Sequence, residues 1–433
     1  MLDIRFIREN AELVEKKSGQ KGYKVDVKHL LKLDDDRRKL LGEIEAVRAQ
    51  RNELSGRKDQ KPSEADQAKG QGLKKKLKEL ELELGPLDKE FKSLLKTVPN
   101  MPADDVPVGA SEAENVVSKE WGEKPKFDFE PKTHWQIAEA RGWIDKERAA
   151  KVAGSRFAYI KGDLVKLQLA IMQFVVNELT NEEILKKIIQ ESGLKNVSSK
   201  PFVPVLPPLM IRTEVFDAMD RLEPREERYK VGTDEDNLWL QGSAEHTLGS
   251  MHMNEVFDLA DLPLRYLGYA TSFRREAGTY GKDTEGIIRM HQFDKLEMES
   301  FVNPEGGLLE HLFFVAIQEY LMQQLEIPYR VLQKCTADIG KPNARGIDIE
   351  AWLPGHGRYL ETHTADFMTD YQSRRMQTRE MTGGVTRFVH TNDATAFAMG
   401  RTMVAIVENF QTADGEVQIP KALQPYMHGQ TSF

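Results

Sequence analysis

The sequence predicts an α+β protein: a mainly antiparallel β-sheet flanked by helices, preceded by an N-terminal antiparallel coiled-coil arm. Three observations predict it. Leu73, Leu77, Leu80, Leu84, Leu87, Phe91 and Leu94 alternate spacings of four and three without an error, the signature of a coiled-coil seam. After about residue 130, β-rich runs adjoin through short loops, which favours antiparallel pairing over a doubly wound sheet. The chain has 433 residues, 40% apolar and 30% charged. That is enough for two to three domains and too apolar for general disorder. The organisation expected is an N-terminal domain over 1–100 with its arm at about 28–97, a linker over 101–130, and a body over 131–433.

The arm reads as two long helices. In the first, Leu33, Leu40, Val47 and Leu54 fall seven apart, interleaved with Leu30, Arg37, Ile44 and Arg51. Its seam is therefore only partly apolar. The polar run 55–72 between the helices, with Pro62, reads as a turn, so the helices pack antiparallel. Gly85 and Pro86 interrupt the second helix. Pro86 has no N–H and crowds the carbonyl of Leu82, which predicts a kink. Net charge is −8, yet residues 28–96 hold 18 basic and 14 acidic side chains. A basic module thus sits on an acidic body. Arg48, Arg51, Arg57, Lys58, Lys61, Lys69, Lys74, Lys75, Lys76 and Lys78 crowd the distal half of the arm. This pattern fits a lever that grips a phosphate backbone, although a plain dimerisation or spacer coiled coil is the commoner use of such an arm.

Three prolines and no periodicity mark the linker. In the body, helices are expected at 163–193, 305–325 and 395–410. Strands are expected at 264–276, 287–298, 328–335, 347–353, 358–364 and 385–391. The single cysteine, Cys335, excludes an internal disulfide framework and a Cys-rich zinc site. MLDIRFIREN carries charges where a secretion signal needs an apolar run, and no stretch is long and apolar enough for a membrane span. A cytoplasmic protein without a membrane partner is expected.

The stretch 264–299 concentrates chemistry. Two β-rich runs flank a polar, glycine-containing loop at 278–286. Side chains alternate faces along a strand, so Ser272, Arg274 and Glu276 share one face. Arg289, His291, Phe293, Lys295 and Glu297 share a face of the second strand. If these faces coincide, one surface offers cationic forks for phosphate or carboxylate, acids for amines, and a flat ring for a base.

FRREAGTYGKDTEGIIRMHQFDKLE resembles the second signature motif of class II aminoacyl-tRNA synthetases, in the form found in seryl-tRNA synthetases. Other segments resemble the same family in the same order: KPFVPVLPPLM with Pro208 as motif one, SAE at 243–245 as the serine loop, and AMGRTMVAIVENFQ at 398–411 as the motif-three helix. ADIG, IDIEAWLPG and YLETHTADFMTDYQSRRM resemble the strands leading to motif three. The likeness covers nearly the whole chain and implies a class II synthetase core at 131–433, with residues 1–100 as the tRNA-binding domain.

The resemblance implies a serine–tRNA ligase reaction. Serine and ATP give seryl-adenylate and pyrophosphate, and the seryl group passes to the 3′ end of tRNA(Ser). It implies catalytic roles for Arg274 and Arg401. ATP binding would fall to Arg274, Arg275, Glu276, Met290, Phe293, Glu361, Thr362, His363, Thr364 and Arg401. Serine binding would fall to Ser243, Ala244, Glu245, Arg274, Glu297 and Thr395. Mg2+ would be held by Glu361 and Thr364, and zinc is not expected. The tRNA contacts carried over are Arg48, Arg51, Arg57, Lys58, Lys74, Lys75, Lys76 and Lys78. A homodimer is implied, and service to selenocysteine tRNA is left open.

The match departs from the family in four places. Ser243 replaces the usual threonine. His363-Thr364 replaces Ser-Ser, Phe367 replaces an asparagine, and Asp393-Ala394-Thr395-Ala396 replaces Asn-Gly-Ser-Gly. Hydroxyls survive at 243 and 395 with sizes exchanged, which suggests a compensating repack. Two other functions compete: a related ligase that charges a carrier protein, and an inactive RNA-binding paralogue. The carrier ligases lack the arm. The paralogue should have lost Arg274, Glu361 or Arg401, and all three are present.

Overall fold

The computed structural model describes residues 1–55, 63–233, 235–276 and 286–433. They form two compact units, Met1–Met101 and Pro102–Phe433.

In the first unit, two short helices precede α1 (Val27–Ser55) and α2 (Glu64–Thr97). The long pair is antiparallel: Arg48 meets Glu81 at 2.9 Å, and Arg37 meets Asp88 at 2.7 Å. Ile44 and Val47 pack on Leu73, Leu77 and Leu80. Each such burial contributes about 1.5–3 kcal/mol, whereas an exposed ion pair gives about 0–1. The apolar seam therefore holds the arm. At the polar seam position of α1, Arg37 spreads over Phe91, 4.9 Å from the ring centroid, while its Nε donates to Asp88.

The arm corrects two expectations. The second helix starts at Glu64, inside the run expected as a turn. The Ser63 hydroxyl accepts from the Asp66 N–H, and the Asp66 carboxylate accepts from the Ser63 N–H. This capping box satisfies donors that a polar composition alone does not reveal. At the far end Leu95 is buried and Leu94 only half buried. A helix of 3.6 residues per turn drifts away from a strict heptad. Pro86 lies inside α2 without ending it.

The second unit is built on eight strands: β1 (Val116–Trp121), β2 (Val203–Val205), β3 (Leu264–Phe273), β4 (Gln292–Val302), β5 (Tyr329–Gln333), β6 (Arg345–Leu353), β7 (Arg358–Thr369) and β8 (His390–Ala398). Their order in the sheet is β1-β5-β6-β7-β8-β4-β3-β2. All pairs are antiparallel except β2 with β3. Helices α3 (Asp163–Leu179), α4 (Glu182–Ser192), α5 (Gly307–Gln324) and α6 (Met399–Asn409) cover one face. Ile171, Phe313, Ile317 and Ile406 there join Leu296, Met298, Ile347 and Ile349 of the sheet in one core.

Four expectations change here. The expected linker belongs to the second unit and supplies β1, which pairs with β5 at the sheet edge. An exposed edge strand is held by main-chain bonds and needs no apolar pattern. The helix expected over 163–193 divides at Thr180, where the Asn181 side chain accepts from the Glu183 N–H at 3.0 Å and caps a new helix. The strand expected at 385–391 is the end of a small hairpin, Val385–Phe388, followed by β8. Residues 395–398, expected as helix, are strand. β8 is buried on both faces, so its sequence does not alternate and resembles a buried helix.

Candidate active site

A cavity of about 580 Å³ opens on the sheet. Two β-bulges aim side chains into it. In the β4–β8 pair, Leu296 opposes Phe397 and Glu297 opposes Thr395, so Ala396 is extra. In the β6–β7 pair, Ile349 opposes His363 and Glu350 opposes Glu361, so Thr362 is extra. An extra residue reverses the alternation of faces. Thr395 and Ala398 thereby both line the cavity although three apart, as do Glu361 and Thr364.

Eleven of the expected nucleotide and serine residues line this one cavity: Ser243, Glu245, Arg274, Glu276, Met290, Phe293, Glu361, Thr362, Thr364, Thr395 and Arg401. Arg274 Nε donates to the Gly242 carbonyl at 3.0 Å, and its guanidinium lies 5.4 Å from the centre of the Phe293 ring. Strand β3 ends at Phe273, so strict parity does not bring Glu276 in. Glu276 instead adopts φ +51°, a costly conformation away from glycine, and accepts from Arg289 Nη1 at 2.5 Å. Arg401, in the first turn of α6, donates to the Glu361 carbonyl at 2.7 Å and lies 3.3 Å from its carboxylate.

At the other end, Arg221 Nε donates to Glu245 at 2.7 Å. Ser243 donates to Glu297 Oε2 at 3.2 Å, and Lys295 pairs with the same carboxylate. Glu297 is fully buried, with Oε1 free of any partner among the described residues. Burial pushes its carboxyl above the usual range, although Lys295 opposes this. Asp366, Asp393 and Glu299 stand side by side across β7, β8 and β4. Burial first, then neighbouring carboxylates, pushes Asp393 and Glu299 well above the ordinary carboxylate range: Glu245 and Asp366 act on Asp393, and Asp393 and Glu245 act on Glu299. Burial lowers Arg228 to about 10, with help from Arg274 and Arg221.

Other expected residues lie elsewhere. His363 turns into the core against Phe397, 1% exposed; the bulge at Thr362 sends it there. Burial lowers it to about 3 and leaves it neutral. Arg275 lies over the Tyr229 ring at 5.7 Å, and Ala244 packs in the apolar cluster with Leu248 and Tyr266. His291, from the hairpin reading, sits 2.9 Å from the Arg274 carbonyl and outside the cavity. Arg48, Arg51, Lys74, Lys75, Lys76 and Lys78 are exposed on the arm. Arg57 and Lys58 lie outside the described residues.

Sequence reasoning missed Arg221, Arg228, Asp366 and Asp393 as site residues. Asp366 and Asp393 sit in segments already matched to the family, and their charge was the available signal. Arg221 and Arg228 come from irregular chain and carry no periodic signal.

Residues 1–102 match the family description Seryl-tRNA synthetase N-terminal domain, and 229–410 match tRNA synthetase class II core domain (G, H, P, S and T). The serine–tRNA ligase of Geotalea uraniireducens is 40% identical, and that of Syntrophotalea carbinolica 38%; each match covers 99% of both chains. The crystal structure of seryl-tRNA synthetase from Pyrococcus horikoshii complexed with ATP superposes with a TM-score of 0.86 at 38% identity. That match covers 100% of this chain and 99% of the other. With both units accounted for along essentially their full length, this chain belongs to the seryl-tRNA synthetase family.

Proposed function

We propose that the protein is a serine–tRNA ligase that activates serine with ATP and transfers it to the 3′ end of tRNA(Ser). One observation carries the reading: a cationic, aromatic end (Arg274, Phe293, Arg401) and a small acidic, hydroxyl-bearing end (Ser243, Glu245, Thr395) share one cavity. ATP fits the first and a small amino acid the second. The serine carboxylate attacks the α-phosphorus, and pyrophosphate leaves with the bond broken. The ribose hydroxyl of the tRNA then attacks the seryl carbonyl, and AMP leaves. No protein nucleophile is needed, so the site works by positioning and charge neutralisation.

Arg274 would bridge the serine carboxylate and the α-phosphate, and Phe293 would stack on adenine. Glu276 would accept from the adenine amine, and Arg401 would hold the γ-phosphate. Glu245 would take the serine ammonium. Glu297, whose Oε1 has no partner among the described residues, would accept from the serine hydroxyl. A buried acceptor left empty costs free energy, so alanine and glycine are penalised. Glu361 and Thr364 form an all-oxygen pair on one wall, suited to Mg2+, which would neutralise phosphate charge when bound.

The exposed basic residues of the arm would grip tRNA phosphates. Val203, Leu206, Leu209 and Met210 are exposed apolar side chains around β2, which supports a second copy docking there. The cytoplasm, where tRNA is charged, is the compartment this activity implies.

Serine-dependent ATP–pyrophosphate exchange followed by charging of tRNA(Ser) tests the reading. Exchange without charging would point to a carrier-protein ligase, and no exchange with any amino acid would end the enzymatic reading.

A further inference from the structure

Behind the nucleotide wall lies a cluster that the proposed reaction does not use. His134 opens the helix His134–Arg141. Glu408 sits in the last turn of α6, the helix whose first turn carries Arg401. His356 sits in the turn between β6 and β7. Glu408 Oε1 accepts the main-chain N–H of His134 at 3.0 Å. It also lies 3.2 Å from His134 Nδ1 and 2.7 Å from His356 Nδ1. Oε2 accepts the Gly355 N–H at 3.0 Å. On the opposite edge of its ring, His134 Nε2 accepts the Ile287 N–H at 3.3 Å. Ile287 begins the run Ile287, Ile288, Arg289 and Met290 that walls the cavity.

The ring's proton can be placed. Accepting from Ile287 requires a lone pair on Nε2, and a neutral imidazole then carries its proton on Nδ1. That proton points at Glu408. The same reasoning weighs against a metal. The ligand atoms of His134, His356 and Glu408 lie within 4.8 Å of one another, but a protonated Nδ1 has no lone pair to give. Gly286, just before the wall, has φ +58°, and a Cβ there would lie 1.8 Å from His134 Nε2. The ring occupies space that only a glycine leaves.

We propose that His134 is a positioning residue for the nucleotide. It fastens Ile287–Met290 to Glu408, and so sets that wall in register with the helix that carries Arg401. The inference rests on the ATP reading of the cavity and adds a residue that touches no substrate.

The test compares His134→Ala, His134→Gln and Gly286→Ala in the full chain. It reads ATP and serine KM, kcat and Tm in serine-dependent exchange. His134→Ala should raise the ATP KM by about 10- to 100-fold, with serine KM held within about twofold. His134→Gln should recover most of the loss, because its amide carbonyl can still accept from Ile287. Gly286→Ala, which drives a methyl into the ring, should reproduce the ATP defect, and it serves alone if His134→Ala does not fold. An unchanged ATP KM overturns the proposal, as does a parallel rise of both KM values tracking a fall in Tm. Stoichiometric zinc in the wild type that disappears in His134→Gln also overturns it. If the wild type gives no exchange with serine, the activity reading fails separately, and ATP affinity of the same variants by calorimetry decides the positioning role.

Discussion

In the arm, Arg37 and Asp88 meet at the seam with about a quarter of each side chain exposed, and Lys92 joins them at the surface. In the body, Glu299, Asp393 and Asp366 line up across three central strands, and neither oxygen of Glu299 has a hydrogen-bond partner among the described residues. The arm keeps its charges in water or paired, and its stability comes from a leucine seam. The body confines acids where water is scarce and few cations reach them. Charge at a surface steers a large polyanion at little cost in stability. Charge in a cavity costs stability and is kept where a small ligand must be told from its neighbours. One chain thus carries an interface built for reach and a site built for discrimination.

The most drastic way to test that division is to remove one side of it. Deleting residues 35–90 should abolish tRNA charging and leave pyrophosphate exchange intact; equal loss of both would mean the regions are not separable. Conversely, Arg274→Ala should lower exchange by about 10²–10³-fold while tRNA affinity, measured by filter binding, stays put.

Replacing Lys74, Lys75 and Lys76 by alanine tests the arm more gently. The slope of log tRNA affinity against log salt should fall by up to about 3, one for each phosphate no longer neutralised, with serine KM unmoved. In the body, Ser243→Thr should crowd the pocket beside Glu297 and Thr395. Overpacking of about 1 kcal/mol or more should appear as a higher serine KM; an unchanged KM would remove the repacking idea.

The smallest effect is a matter of sign. Glu299 has its folded pKa raised, first by burial and then by Asp393 and Glu245. Its contribution is present below the ordinary value of 4.5 and is lost as pH rises. Glu299→Gln should therefore become more stabilising between pH 4 and pH 8. Asp88 is the reverse. Burial acts to raise it, but hydrogen bonds from Lys92 and Arg37 outweigh this and lower it. Its contribution is present above about pH 4 and lost below. Asp88→Asn should destabilise the arm at neutral pH and become harmless in acid. All five tryptophans lie in the second unit, so their fluorescence follows the body alone, and helical circular dichroism of the two variants separates the arm.

The seam was legible because a heptad is a local rule: Leu73, Leu77 and Leu80 needed only each other to be recognised. Arg274 and Phe293 were legible by alternation along a strand, and Glu297 by the same parity, although it lies just under the cavity floor. His363 was carried over from the family motif, and the structure turns it away from the cavity, because a bulge is an insertion in a pairing and a single strand does not announce its partner. β8 was misread for a related reason. A central strand is buried on both faces and has lost the contrast between faces that sequence patterns rely on.

The sequence by itself determined the helical arm, its excess of positive charge, the family motifs and the residue types the chemistry needs. Those depend on order and spacing along one chain. Only the tertiary structure decided which way Glu361, His363 and Thr395 face, that Arg221 and Asp393 enter the site, and that His134 braces its wall. Each is a relation between segments far apart in sequence, fixed by strand register and close packing, which no local pattern encodes.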